Sequence, residues 1–315
     1  AWLSYRLVET PIRKRRVLRA RGLAAAAIGG SLLLAAAGGA LVAGHGFPER
    51  LSPLLDELGA YRKYPYQPLM RDRKCLLHPD QGYEDFAVEC NASTGIEILL
   101  WGDSHAAAMY PGLADYYPPG SVSQLTTASC PPVLGLQLKG VPYCEAINRD
   151  ILQRIDTNPP TQLVLHAYWT VYRPVGNTGL AHNSADYFRL LETTLEALAR
   201  RDLSVTVLGS LPVWYPSLPD RLQRYVRVRG DLPEYLPRPV EPDLVSLDAR
   251  VRAMVEEHGH RFVSLTATVC QGADCRVTLP DTTGSTVLMQ WDASHPTREG
   301  AAFISSRALG AEDQP

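Results

Sequence analysis

The sequence has no Cys-x-x-Cys spacing among its six cysteines, which removes the usual zinc-binding frameworks. It has no Gly-x-Ser-x-Gly, so the nucleophile elbow of the α/β-hydrolases is excluded. It has no internal repeats. Over the 23 residues from Gly22 to Gly44 it has no charge at all. Basic charge is also scarce beyond that run. Seven of the 31 basic residues precede Gly22, with Glu9 as the single acid there. The rest carries 24 basic and 32 acidic residues, a net of −8 against −2 for the whole chain. A nucleic-acid partner needs a basic face and is not expected.

The uncharged run explains the asymmetry. As a helix it would be about 34 Å long, against roughly 30 Å for the hydrocarbon core of a bilayer. The basic residues Arg6, Arg13, Lys14, Arg15, Arg16, Arg19 and Arg21 all lie before it. By the positive-inside rule the N-terminal side is cytoplasmic and everything after His45 is exported. A cleaved signal peptide has a shorter apolar core, roughly 7–15 residues. A buried Ala-rich helix rarely lacks polar residues over such a length.

The cysteines fit an exported domain. They fall in three local pairs: Cys75 with Cys90, Cys130 with Cys144, and Cys270 with Cys275. Short loop closure favours these neighbours, although six cysteines allow about 15 pairings.

From residue 93 the pattern is that of an α/β domain. Ile96 to Trp101, Leu163 to Trp169 and Leu203 to Leu208 are short apolar runs, expected as buried strands. Between them Tyr187, Leu190, Leu191, Thr194, Leu195 and Leu198 share one helical face, as do Leu244, Leu247, Val251, Met254 and Val255. Alternating strands and amphipathic helices predict a mostly parallel sheet, with ligands beyond the carboxyl ends of the strands.

Two motifs sit where such ligands bind. Gly102-Asp103-Ser104-His105 follows the first strand and opens a helix. Gly102 permits the tight turn, and Ser104 lies where free N–H groups favour negative charge. A tetrahedral acyl intermediate carries such a charge. An ordinary N-cap would look the same. Trp291-Asp292-Ala293-Ser294-His295-Pro296-Thr297 stands near the other end. The three-residue spacing lets Asp292 reach the imidazole of His295 and fix its tautomer, as a serine nucleophile's base requires. Thr297, Gly300 and Ala301 suggest a helix starting just after it. His258-Gly259-His260, after Glu256 and Glu257, is read as a helix end capped by Gly259 and not as a metal site. His105 is read as structural. Tyr168 and Trp169 are candidates to line an acceptor cleft, or equally a half-buried strand end.

The early Gly-Asp-Ser and late Asp-x-x-His resemble the SGNH (GDSL-like) hydrolases and acyltransferases over about residues 93–310. The resemblance implies Ser104 as nucleophile, His295 as base and Asp292 as orienting acid. The family's Gly-x-Asn-Asp block is missing; His166-Ala167-Tyr168-Trp169 stands there, so the oxyanion donors are open. The second-block glycine has no clear counterpart either, and the loop from Thr126 to Pro132 is its expected region. Gly102, Ser129, Tyr168 and Trp169 are the candidates to line the oxyanion or substrate site. Ser4-Tyr5-Arg6-Leu7-Val8-Glu9-Thr10-Pro11-Ile12-Arg13 resembles the end of the last core helix of the membrane acyltransferase-3 family, and Cys130-Pro131-Pro132 fits its fused SGNH domain.

These resemblances imply an α/β, SGNH-hydrolase-like three-layer fold with a mostly parallel sheet, preceded by one transmembrane helix. Residues 1–16 would end a membrane acyltransferase domain, 17–44 form the transmembrane helix, 45–92 a periplasmic linker and 93–315 the SGNH domain. They imply O-acetyl transfer to a cell-surface polysaccharide such as O-antigen, on the periplasmic side of the bacterial inner membrane. Acetyl-CoA would be the upstream donor to the membrane part, with no cofactor or metal held by this domain. The expected partners are the polysaccharide, the membrane acyltransferase domain of the same protein and the lipid bilayer. Plain ester hydrolysis and a glycan-binding role without catalysis are the alternatives.

Overall fold

The computed structural model describes residues 2, 5–10, 20–44, 46, 52–92, 95, 97–172, 184–239, 244–281 and 284–309. Residues 11–19, with most of the basic cluster and the end of the Ser4 to Arg13 motif, lie outside the described residues. The chain forms two compact units, Ala1–Glu57 and Leu58–Pro315.

The first unit contains the helix Ala20–Ala43. Its stretch Ala24–Ala43 is long and apolar enough to cross a membrane, and none of it is buried. Leu32, Leu33 and Leu34 are exposed on it. A helix apolar all round has no water-facing side, which suits a lipid surround.

The second unit is built on a six-stranded sheet in the order β1-β3-β2-β4-β5-β7. Its strands are β1 (Leu76–Leu77), β2 (Ile98–Gly102), β3 (Val122–Thr127), β4 (Gln162–His166), β5 (Ser204–Leu208) and β7 (Arg261–Val263). All five pairings are parallel. The three apolar runs expected as strands are therefore β2, β4 and β5. Each is followed by a helix, and β2 and β4 are buried throughout. That is why they read as continuous apolar runs and not as alternating ones. Leu99, Trp101, Leu163, Leu165, Val205 and Val207 point to one face. There they pack against Ile147 and Ile151 of the helix Cys144–Thr157, Leu191 and Leu195 of Ser184–Ala199, and Val251 and Val255 of Leu244–Glu257. The opposite face is covered by Ser104–Tyr116 and Arg298–Ala308, which pack on each other. The strand β6 (Tyr235–Pro237) lies apart, pairing with the hairpin β8 (Cys270–Gln271) and β9 (Asp274–Arg276). The strands β10 (Thr278–Pro280) and β11 (Thr286–Leu288) form a further antiparallel pair.

The three disulfides join the expected neighbours, Cys75–Cys90, Cys130–Cys144 and Cys270–Cys275. The second ties the loop after β3 to the start of the Cys144–Thr157 helix. Asn148 secures the same loop from beneath. Its amide nitrogen donates to Pro131 O (2.9 Å) and Val133 O (3.1 Å), and its oxygen accepts from Trp101 Nε1 (2.9 Å). A buried amide is tolerated because its groups find partners. Gly259 has φ +75° and closes the Leu244–Glu257 helix, as its neighbours suggested.

The segment 45–92 is not simply a linker. From Leu58 onward it belongs to the compact unit. Leu76–Leu77 is an edge strand paired with β3. Thr126 Oγ1 donates to Cys75 O (2.7 Å) and Gln124 Nε2 to Met70 O (2.9 Å). Tyr64 and Tyr66 stack on Trp291 at 5.6 and 5.2 Å. Tyr61 Oη accepts from Leu288 N and Tyr64 Oη from Arg298 N. Burial raises the Tyr64 phenol to about 12 despite the Arg298 N–H. The domain therefore begins well before residue 93. A two-residue strand carries no period that a sequence pattern could reveal.

Candidate active site

The site forms where β2 turns into the helix Ser104–Tyr116. A Cβ on Gly102 would stand 1.8 Å from the carbonyl oxygen of His166, so the close approach of β2 to the end of β4 requires glycine. Asp103 is the N-cap. Its Oδ1 accepts from His105 N (2.8 Å), and its Oδ2 accepts from Tyr168 N (2.9 Å) and Tyr172 Oη (2.8 Å). One carboxylate thus caps the helix and ties its start to the turn after β4. Burial pushes the Asp103 carboxyl up, but the His105 contact and charge and the two N–H donors prevail and hold it below the usual range.

Ser104 is the first residue of that helix, where backbone N–H groups lack intrahelical partners. Its Oγ lies 3.1 Å from Nε2 of His295. Nδ1 of His295 lies 2.8 Å from Oδ2 of Asp292, while Oδ1 of Asp292 accepts from the N–H groups of Ser294 (2.8 Å) and His295 (2.7 Å). A carboxylate only accepts, so Nδ1 carries the proton and Nε2 is free to accept from Ser104. Burial pushes the Asp292 carboxyl up, but His295 and the two N–H groups outweigh it and the net shift is downward. Thr297 caps the next helix by accepting from Gly300 N (2.9 Å), and donates to Leu288 O (2.6 Å). The Asp292 to His295 loop is thereby fixed at its far end.

His105 makes no bond to Ser104. Its buried ring stacks with His295 (4.2 Å between centroids) and with Tyr168 (4.4 Å), and meets His166 edge-on at 6.3 Å. Burial, aided by the charge of His295, lowers its pKa. Trp291 stacks with His295 at 5.5 Å. His295 thus has ring neighbours in His105 and Trp291.

Ser129 lies in the turn after β3, the strand beside β2, with φ +58°. That left-handed conformation favours glycine. Its N–H makes no hydrogen bond among the described residues. Tyr168 is half-buried at the mouth, where its hydroxyl meets that of Tyr215 (3.3 Å). Trp169 does not line the site. Its side chain is fully buried in the core, with Nε1 donating to Leu208 O (2.7 Å). An indole needs a partner for its one N–H when buried, and a strand-end carbonyl supplies it. Sequence reasoning also missed Asp103, Tyr172, Trp291 and Tyr215. Only Asp103 gave a local signal, as an Asp directly before a helix. Among the described residues no cluster of His, Cys, Asp and Glu could hold a metal ion.

His166 donates through Nδ1 to Leu208 O (3.1 Å) and is fully buried, and burial lowers its pKa from 6.5 to about 4. The unfolded chain therefore takes up a proton first as pH falls below 6.5. Stability is complete above that value, declines toward about pH 4, and then levels off at a deficit on the order of 3 kcal/mol. His105 acts in the same direction. Thermal melts from pH 7 to 4 check this: the melting temperature falls across the window, and His166→Gln flattens part of the fall. An equally steep fall in that variant would remove His166 as the cause.

A parallel sheet covered by helices on both faces, with a Ser-His-Asp series at its carboxyl edge, is the arrangement of acyl-transferring and esterase enzymes in the family matched here. Residues 71–309 match the family described as the SGNH domain fused to AT3 domains, and the chain belongs to that family. The structure is similar to the periplasmic domain of a lipopolysaccharide acetyltransferase from Salmonella ser. Paratyphi A. The TM-score is 0.65 at 20% identity, covering 84% of this chain and 98% of that one. It is also similar to a GDSL-like lipase from Bacteroides thetaiotaomicron, with TM-score 0.39 at 13% identity, covering 67% and 84%. At 20% identity the likeness to the acetyltransferase domain concerns the fold. Curated protein sequences provide no match.

Proposed function

We propose that the domain is an O-acetyltransferase that moves an acetyl group through an acyl-enzyme on Ser104 to a hydroxyl of a cell-surface polysaccharide. The observation that carries this is the unbroken series Ser104 Oγ, His295 and Asp292, at 3.1 and 2.8 Å. Ser104 Oγ attacks the acetyl carbonyl as its proton passes to His295 Nε2. Collapse of the tetrahedral intermediate breaks the bond to the donor, which leaves with that proton. The acceptor hydroxyl then attacks acetyl-Ser104, again giving its proton to His295, and that proton returns to Ser104 Oγ. Asp292 stabilises the imidazolium formed in both steps. The backbone N–H groups of Ser104 and Ser129 are the candidate donors to the oxyanion.

The family's fusion to a membrane acyltransferase supports transfer over hydrolysis, as does the fold shared with a lipopolysaccharide acetyltransferase domain. In this reading acetyl-CoA supplies the group through that membrane domain. The helix Ala24–Ala43 anchors the protein in the inner membrane, and the disulfide-bearing unit works in the periplasm. The same site would serve an esterase, with water in place of the sugar.

The test uses the full chain in detergent. A fluorophosphonate should label Ser104, and no labelling of folded protein would remove both enzyme readings. With p-nitrophenyl acetate as donor, acetyl should appear on polysaccharide from the producing bacterium's envelope. Acetate release indifferent to the polysaccharide would favour the esterase.

A further inference from the structure

Tyr215 has an unusual position. The residue is 70% exposed, yet the segment carrying it is held on several sides. Trp214 is fully buried; its backbone N–H donates to Ala293 O (2.8 Å) and its indole N–H to Gln290 Oε1 (2.7 Å). Leu218 N donates to Asp292 O (3.2 Å), and Gln290 Nε2 to Pro212 O (3.0 Å). Ser217 caps the helix Leu218–Arg229. The segment is thus fastened to the very loop that carries Asp292 and His295. A large ring held in water costs hydrophobic free energy, and here it has little freedom to fold away.

What the ring stands next to gives it a use. Its hydroxyl meets that of Tyr168 at 3.3 Å. Tyr168 stacks on His105, and His105 on His295. The backbone of Tyr168 is pinned by Asp103, the cap of the nucleophile's helix. An exposed aromatic face therefore lies at the mouth of the site, fixed to both the serine and the histidine sides. Such a face suits the apolar C–H side of a sugar ring, and two phenol hydroxyls beside it can exchange hydrogen bonds with the ring's hydroxyls. Because the face is already fixed, little ordering is lost on binding.

We propose that Tyr215, with Tyr168, forms the subsite that stacks a pyranose ring of the acceptor polysaccharide and presents its hydroxyl to acetyl-Ser104. This rests on the transferase reading. A pyranose binding there is aligned by the stacked face and cannot rotate out of reach of His295. Tyr215 acts on the acceptor step and not on formation of the acyl-enzyme.

The test is Tyr215→Ala, with Tyr215→Phe and Tyr215→Trp as variants that keep a ring. The donor is p-nitrophenyl acetate and the acceptor is delipidated polysaccharide from the producing bacterium's envelope. In Tyr215→Ala the KM for polysaccharide should rise about ten-fold, the equivalent of one stacked aromatic contact, while acetyl-Ser104 still forms at the rate of the unaltered protein. Tyr215→Phe and Tyr215→Trp should stay within about two-fold of it. An unchanged acceptor KM in Tyr215→Ala overturns the subsite and leaves the transferase reading standing. Slowed acylation in the same measure as the acceptor step also overturns it, because the ring would then merely support the fold. Failure of the unaltered protein to acylate Ser104 removes the transferase reading and the subsite together.

Discussion

Replacing Ser104 by alanine is expected to lower acetyl transfer by about 10⁴-fold or more while leaving the melting temperature within about 2 °C. The large effect follows from the geometry. Ser104 Oγ is the hydroxyl within reach of His295 Nε2, and no second nucleophile stands there among the described residues. The small effect on stability follows from Asp103, which caps the helix through His105 N and is untouched by the change. Alanine also suits the first turn of a helix. His295→Ala should cost a similar factor, and the double variant little more than either alone, because the two side chains act as one unit. Steady-state transfer by the three variants, beside their thermal melts, makes the check. Activity above about 1% in Ser104→Ala would mean that another group carries the acyl chain.

The second large effect concerns the neighbouring residue. Asp103→Asn is expected to destabilise the domain by about 3 kcal/mol or more. Three donors converge on the Asp103 carboxylate: His105 N, Tyr168 N and Tyr172 Oη. An amide offers one oxygen in place of two and turns an NH₂ toward donors. At least one buried N–H or O–H then loses its partner, and the charge that strengthened all three bonds is gone. At about 2–4 °C per kcal/mol for a domain of this size, the melting temperature should fall by on the order of 10 °C. Acetyl transfer should fall as well, because Asp103 joins the start of the Ser104 helix to the turn that carries Tyr168. A melt within about 2 °C of the unaltered protein would show that the carboxylate is replaceable. Since Asp103 keeps a lowered pKa when folded, its contribution is present above the ordinary carboxylate range and is lost as pH falls through the folded value. Acid therefore weakens the same corner twice, through His166 and His105 first and through Asp103 below them.

Much of this was legible in the sequence because it is local. The turn Gly102-Asp103-Ser104 marks a strand feeding a helix. The i, i+3 spacing of Asp292 and His295 is enough to bring the carboxylate to the imidazole, since both side chains leave one short loop. The Tyr187 to Leu198 and Leu244 to Val255 patterns each lie within a single helix. The charge-free run from Gly22 to Gly44 needed only counting.

Other features depend on contacts between distant parts, and there the sequence was silent or misleading. Leu76–Leu77 is too short to show a period, so its place at the sheet edge comes from β3 and from the Cys75–Cys90 bond. Trp169 and Tyr168 look alike as adjacent aromatics, but successive residues here go to opposite sides, one into the core and one to the mouth. Ser129 adopts a glycine-like conformation that its side chain does not announce. The turn at Ser104, the Asp292–His295 pair, the strands and helices of the sheet's centre and the apolar span could all be read along the chain, because each rests on near neighbours in it. Long-range contacts set the rest: Ser104 meets His295 across 191 residues, Asp103 locks their surroundings, and Tyr215 stands at the mouth. Those meetings are set by which strand edges and loops the parallel sheet brings side by side, and no local spacing encodes them.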